Sequence, residues 1–142
     1  MTAYLTSLLS NPFNRYCVDC TKSESTHANI SYGTFICSAC ASHHDQAFGM
    51  TSSYIKPVFN DLWDQYQLKV VTLGGNQRFW DFMKDYKSEQ KPIYSKYKSS
   101  EAKYYKKYLA ATVLDRAFSQ KPPPKNVDEM IDKGVEVTKH GA

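Results

Sequence analysis

The chain has four cysteines, Cys17, Cys20, Cys37 and Cys40, and they form two Cys-x-x-Cys pairs sixteen residues apart. Two thiolates on each of two tight turns make the donor set of a tetrahedral ion held at roughly 2.3 Å, and zinc is the metal this set suits. Four protein sulfurs close the coordination sphere and leave no place for a metal-bound water. The expectation is therefore one structural Zn ion, ligated by Cys17, Cys20, Cys37 and Cys40, that stabilises the fold and does no catalysis. Two disulfides or two redox Cys-x-x-Cys motifs are the rivals, and paired knuckles at this interval rarely serve either.

The run after the second pair, "ASHHDQAFG" at 41–49, is the other stretch with chemical potential. His43 and His44 invite a metal or catalytic role. Adjacent helical residues point about 100° apart, so at most one of them faces a given site. With the thiolate set already full, packing or surface hydrogen bonding is the expected role, and no catalytic residue is assigned.

Elements that would position these groups follow from periodicity. Tyr4, Leu5, Leu8 and Leu9 sit at helical spacing before Pro12. "NISYGTFIC" reads as a short strand or hairpin arm bent at Gly33, and "SACASHHDQAF" as a helix stopped by Gly49. Pro57 keeps "SSYIKPVF" extended. From Asn60, Trp63, Tyr66, Val70 and Leu73 form a helical face that Gly74 and Gly75 end. Asn76 is expected to cap the next helix, with Phe79, Trp80, Met83 and Tyr86 inward. Ser100 is expected to cap another, with Tyr104, Tyr105, Tyr108, Leu109 and Ala111 inward. "SQKPPPKN" breaks the periodicity and opens a polar tail with too few apolar residues to order itself.

Composition narrows the function classes. The net charge of +4 arises in residues 84–107, where eight Lys face only Asp85, Glu89 and Glu101. Such a face suits phosphate, anionic lipid or an acidic protein surface, although Lys without Arg is weak evidence for phosphate recognition. No apolar run approaches the roughly 18 residues that a membrane-spanning helix needs. Eleven tyrosines imply an aromatic core whose hydroxyls each need a partner. Dependence on thiolates and the absence of a signal-peptide pattern point to an intracellular, reducing compartment. The cytoplasm is expected first. The mitochondrion is second, because residues 1–18 carry Arg15 and no acid.

Beyond the cysteines, "NRYCVDCTKSESTHANISYGTFICSAC", "MTSSYIKPVFNDLW", "LGGNQRFWDFM" and "KYKSSEAKYYKKYL" together resemble the zinc finger of the Arf GTPase-activating protein (ArfGAP) family over about residues 11–115. The resemblance implies an α+β fold, a small zinc-stabilised β-sheet surrounded by α-helices. The expected division is a zinc-finger domain at 1–119 and an extended polar tail at 120–142. It also implies an arginine finger shortly after the last cysteine. Counted from Cys40 that position is Asp45, and counted back from Gly49 it is Gln46. Neither is Arg. Lys56 stands where relatives tend to carry another Arg, keeping the charge without the planar fork. An arginine finger is worth about 10³ to 10⁵ in rate.

The expectation drawn from that loss is a catalytically silent domain, no enzyme, acting as a structural or adaptor subunit. Its partners would be protein subunits of a larger, membrane-associated complex. The alternative is an active GTPase-activating protein for an Arf-type GTPase that uses Lys56 or an arginine from another chain. A nucleic-acid finger of the GATA kind has similar cysteine spacing. It is disfavoured because "SACASHHDQAF" offers no Arg to base edges.

Overall fold

The computed structural model describes residues 2–132; the remainder of the expected tail, 133–142, lies outside the described residues. Two short helices open the chain, α1 (Thr2–Leu9) and α2 (Pro12–Arg15). Proline at the start of α2 forfeits no hydrogen bond there, and Asn11 caps the helix by accepting from Phe13 N at 2.8 Å. Three strands follow, β1 (His27–Asn29), β2 (Thr34–Ile36) and β3 (Ile55–Pro57), with helix α3 (Ser38–Ala47) between the last two. Both edge strands pair antiparallel with β1, giving the order β2-β1-β3. His27 faces Ile36 on one side and Pro57 on the other. Proline on an edge strand costs the sheet little, since one side of that strand needs no partner.

The helical layer is α4 (Gln65–Leu73), α5 (Asn76–Lys84), α6 (Ile93–Lys98) and α7 (Ser100–Val113), and α8 (Val127–Asp132) follows a non-helical run. The fold is thus α+β, a small sheet among helices. Its core is aromatic. Phe79 of α5 stacks on Tyr97 of α6 at 5.7 Å and meets Tyr105 of α7 edge-on at 5.1 Å, while Tyr32 presents its edge to both Phe79 and Tyr97. Hydroxyl partners are less complete than the composition implied: Tyr97 and Tyr86 donate to Asp19 and to Pro123 O, but among the described residues Tyr105 OH has no partner.

The hairpin is fitted to α4 by two glycines. Gly33 has φ +65°, and a Cβ there would lie 2.7 Å from Val70 O. Gly74 makes the same close approach from the other side, and Gly75 N donates to Gly33 O at 2.8 Å. Backbone meets backbone here, which is why glycine occupies both positions.

Several boundaries differ from the sequence expectation. Trp63 is buried in the loop ahead of α4, and Asp64 starts that helix through a capping box with Gln67. Ser99, not Ser100, caps α7 by accepting from Ala102 N. Asn76 caps nothing. Its side chain is buried, where Oδ1 accepts from Phe35 N at 2.7 Å and Nδ2 faces the carbonyls of Phe13, Tyr16 and Phe35. It ties α5 to α2, the first knuckle and β2 at once. Helices α2, α6 and α8 have no counterpart in the periodicity reading, being too short to show a repeat, and α8 (Val127–Asp132) lies in the run expected to be an extended tail.

Candidate functional site

The two knuckles meet because their chain segments are joined to one sheet. Tyr16 bridges to Glu24, Val18 N donates to Phe35 O, and β2 leads directly into Cys37. The four sulfurs lie within 4.8 Å of one another, with Cys20 Sγ and Cys37 Sγ 3.8 Å apart. A tetrahedron of radius 2.3 Å has an edge of about 3.8 Å, so the spacing fits one zinc ion. It does not fit a disulfide, whose sulfurs are about 2.05 Å apart; all four thiols are free. Backbone N–H groups already point at the sulfurs: Asp19 and Cys20 donate to Cys17 Sγ, and Cys40 donates to Cys37 Sγ, which thereby caps α3.

Electrostatics also favour a cation. The hydrogen bond from Cys40, ahead of those from the backbone, pulls the Cys17 thiol down to about 5 although burial opposes it. Cys40 moves upward, first because it gives that bond and then through burial. One negative sulfur thus inhibits its neighbours, and a divalent ion relieves the conflict. Cys17, Cys20, Cys37 and Cys40 are the residues that would hold it. When bound, zinc supplies folding energy.

Directly against the first knuckle lies a buried polar cluster that sequence reading missed. Asp19, between the two cysteines, accepts from His44 Nε2 at 2.9 Å, Lys96 Nζ at 2.9 Å and Tyr97 OH at 2.6 Å. Burial works against the charge, yet the hydrogen bond from His44, the Lys96 charge and the Tyr97 hydroxyl together hold the carboxyl at about 2. The carboxylate only accepts, so His44 Nε2 carries the hydrogen, and Nδ1 faces Ser53 Oγ at 3.0 Å. Ser53, His44 and Asp19 thereby repeat the order of a hydrolase triad. His44 and Ser53 are 0% and 1% exposed, so no substrate reaches them and the role is structural. This accords with the packing role expected of one histidine; His43 is exposed.

The finger segment is α3 itself. Its inner face, Cys40, Ala41 and His44, is buried, while Ser42, His43, Asp45 and Gln46 face solvent. No arginine lies on it. Lys56 does not substitute: Nζ is buried, donates to Leu62 O and to Gln67 Oε1 at 2.8 Å, and sits 5.1 Å from the Trp63 ring. Arg15 pairs with Glu24, and Arg78 donates to Leu73 O over Tyr108. Among the described residues, the helices offer no membrane-spanning segment.

Comparison with known proteins adds the remaining findings. The family model described as "Putative GTPase activating protein for Arf" matches residues 2–122. ADP-ribosylation factor GTPase-activating protein 3 of Mus musculus is 32% identical over 136 residues, covering 85% of this chain and 26% of its own length. Its namesake in Rattus norvegicus is 32% identical over 103 residues, covering 72% and 19%. The chain therefore spans about a quarter or a fifth of these relatives. Among solved structures, "putative GTPase activating protein for ADP ribosylation factor from Cryptosporidium parvum" superposes with a TM-score of 0.72 at 25% identity, over 78% of this chain and 89% of that one.

These findings correct one expectation. The absence of GTPase-activating activity was inferred from Asp45 and Gln46, whereas the relatives are named for that activity. The physical reason is that an arginine finger is one charge on one exposed position of α3, and its loss leaves the rest of the matched fold in place. With both knuckles, the sheet and helices α1 to α7 inside the match over residues 2–122, the chain belongs to the Arf GTPase-activating protein family.

Proposed function

We propose that this chain stimulates GTP hydrolysis on an Arf-type small GTPase. The observation that carries the reading is the family match over residues 2–122, whose span takes in both knuckles and the solvent-facing side of α3. Phosphoryl transfer from GTP asks little covalent chemistry of a protein and depends on positioning and charge stabilisation. In this reading α3 docks beside the nucleotide. It presents Ser42, His43, Asp45 and Gln46 to solvent: the Ser42 hydroxyl, the His43 ring and the Gln46 amide can donate hydrogen bonds, the Asp45 carboxylate opposes them, and acceleration comes from ordering the GTPase's own water-positioning residue and from excluding solvent. Without an arginine on α3 the gain is smaller than the 10³ to 10⁵ of an arginine finger, on the order of tenfold to a hundredfold.

Single-turnover GTP hydrolysis on an Arf-type GTPase, at rising concentrations of this chain, tests it. The expected result is a saturable rate increase that Gln46→Arg raises further. A chain that binds the GTPase without changing its hydrolysis rate would overturn the proposal, as would a chain that does not bind it.

A further inference from the structure

We infer that the face formed by the end of α3, the turn after it, α6 and α7 is a docking surface for an anionic lipid bilayer. Residues 93–113 hold five lysines and a single acid, Glu101. The acid is turned inward and accepts from Ser88 Oγ, and Lys96 is consumed by Asp19. Lys98 and Lys103 are exposed and Lys106 is half-exposed. On α3 the acid in the neighbourhood is Asp45, so positive charge predominates.

Contacts make this one surface. Lys98 Nζ lies 5.5 Å from the Tyr94 ring, and Tyr94 stacks on Phe48 at 5.9 Å, immediately after α3. Gly49, with φ +73°, turns the chain from Phe48 to Met50. From the far side Lys106 Nζ donates to Ser52 O at 3.2 Å, and it lines one concavity with Met50, Tyr54 and Tyr66. Lys103 is one turn before Lys106 on the same helix, at the i, i+3 spacing that makes neighbours. Two large side chains beside these lysines are given to solvent, Tyr94 next to Lys98 at 61% exposure and Met50 in the Lys106 concavity at 72%.

The chemistry favours lipid over a specific phosphate or an acidic protein. The cations are lysines, hydrated point charges on flexible stems, and not arginine forks that grip one phosphate. They do not converge on a buried pocket. Apolar and aromatic groups projecting among them suit a headgroup boundary, where a tyrosine keeps its hydroxyl wet and its ring dry and lysine stems follow it. Each lysine brought near an anionic leaflet strengthens binding about fivefold, and the attraction is screened by salt.

Vesicle sedimentation of the zinc-loaded chain tests the inference, comparing phosphatidylcholine alone with phosphatidylcholine plus phosphatidylserine. Binding is expected to the second and not the first, and to weaken as salt is raised. The K98E/K103E variant should bind about 25-fold less or weaker still, and Met50→Ser with Tyr94→Ser should lower binding at every salt concentration. Retained zinc and an unchanged far-ultraviolet spectrum show that each variant is folded; should K98E/K103E fail that check, Lys98→Gln alone is read, with about a fivefold loss expected. Equal binding to both vesicles, or unchanged binding by the folded variants, would overturn the inference. So would charge reversals that spare vesicle binding but abolish capture of a soluble Arf-type GTPase, which would assign the face to a protein. GTP hydrolysis measured in parallel without vesicles reports separately on the function proposed above.

Discussion

Replacing Asp19 by asparagine should cost several kcal/mol of stability, although the shape of the side chain is kept. The carboxylate is 2% exposed and receives three donors, while the ammonium of Lys96 is 1% exposed. The amide would keep the shape, but it removes the counter-charge of a buried cation and turns an N–H₂ group toward groups that also donate. Breaking a buried ion pair from one side typically costs about 3–5 kcal/mol. For a chain of this size that corresponds to a Tm lowered by roughly 10 °C or more. The assay is guanidinium unfolding at fixed free zinc, followed by circular dichroism and tryptophan fluorescence, since bound metal contributes to the measured stability. Lys96→Met should cost less than Asp19→Asn, because Asp19 keeps His44 and Tyr97. The double variant should recover part of the loss, since the uncompensated cation is gone. A loss below about 1 kcal/mol for Asp19→Asn, or simple additivity in the double variant, would refute the assignment of the cluster as a coupled unit.

Three other outcomes follow from the geometry. The purified chain should carry one zinc ion, and Cys37→Ser should unfold it, because binding energy at such sites is folding energy; a metal-free chain with a native spectrum refutes this. Gly33→Ala should destabilise by about 2–4 kcal/mol, combining a left-handed backbone with a Cβ 2.7 Å from Val70 O; a loss under about 1 kcal/mol would show that the hairpin separates from α4 at little cost. Lys56→Met should lower stability by about 1–3 kcal/mol through the Leu62 carbonyl left without its donor, while Gln67 Oε1 still accepts from Asp64 N. It should leave GTPase stimulation per folded molecule unchanged; selective loss of stimulation would return Lys56 to the reaction.

Much of the frame was legible because its signals are local. Each Cys-x-x-Cys pair, the Gly33 bend, the extended Tyr54–Pro57 segment and the helix ended by Gly49 depend on residues a few positions apart. What escaped depends on partners distant in sequence. Asp19 gives no sign in its own neighbourhood that Lys96 and Tyr97 will close over it from 77 and 78 positions away. Asn76 has the sequence appearance of a cap, and only the approach of Phe13, Tyr16 and Phe35 turns it into a buried junction. Lys56 looked available as a free cation because a lysine usually is; three groups of the Trp63 loop and α4 remove it from solvent. The eight lysines of 84–107 were visible as a count, but not which of them would be spent internally, as Lys96 is.

The same distinction explains why the missing arginine misdirected the functional inference. Helix α3 is held at its start by Cys37 and Cys40, in its middle by His44 within the Asp19 cluster, and at its end by Phe48 against Tyr94 and Tyr97. None of these anchors involves positions 42, 43, 45 or 46, which face solvent. Residues there can therefore change without moving the helix, and a change among them says little about whether the docking frame survives. Conversely, an exposed position on a fixed helix is where a new side chain reports chemistry and not folding. An arginine introduced at position 46 would be presented by a backbone that zinc, His44 and Phe48 already hold. Its effect on GTP hydrolysis, compared with that of Gln46→Ala, separates the gain of the arginine charge from the loss of the Gln46 amide.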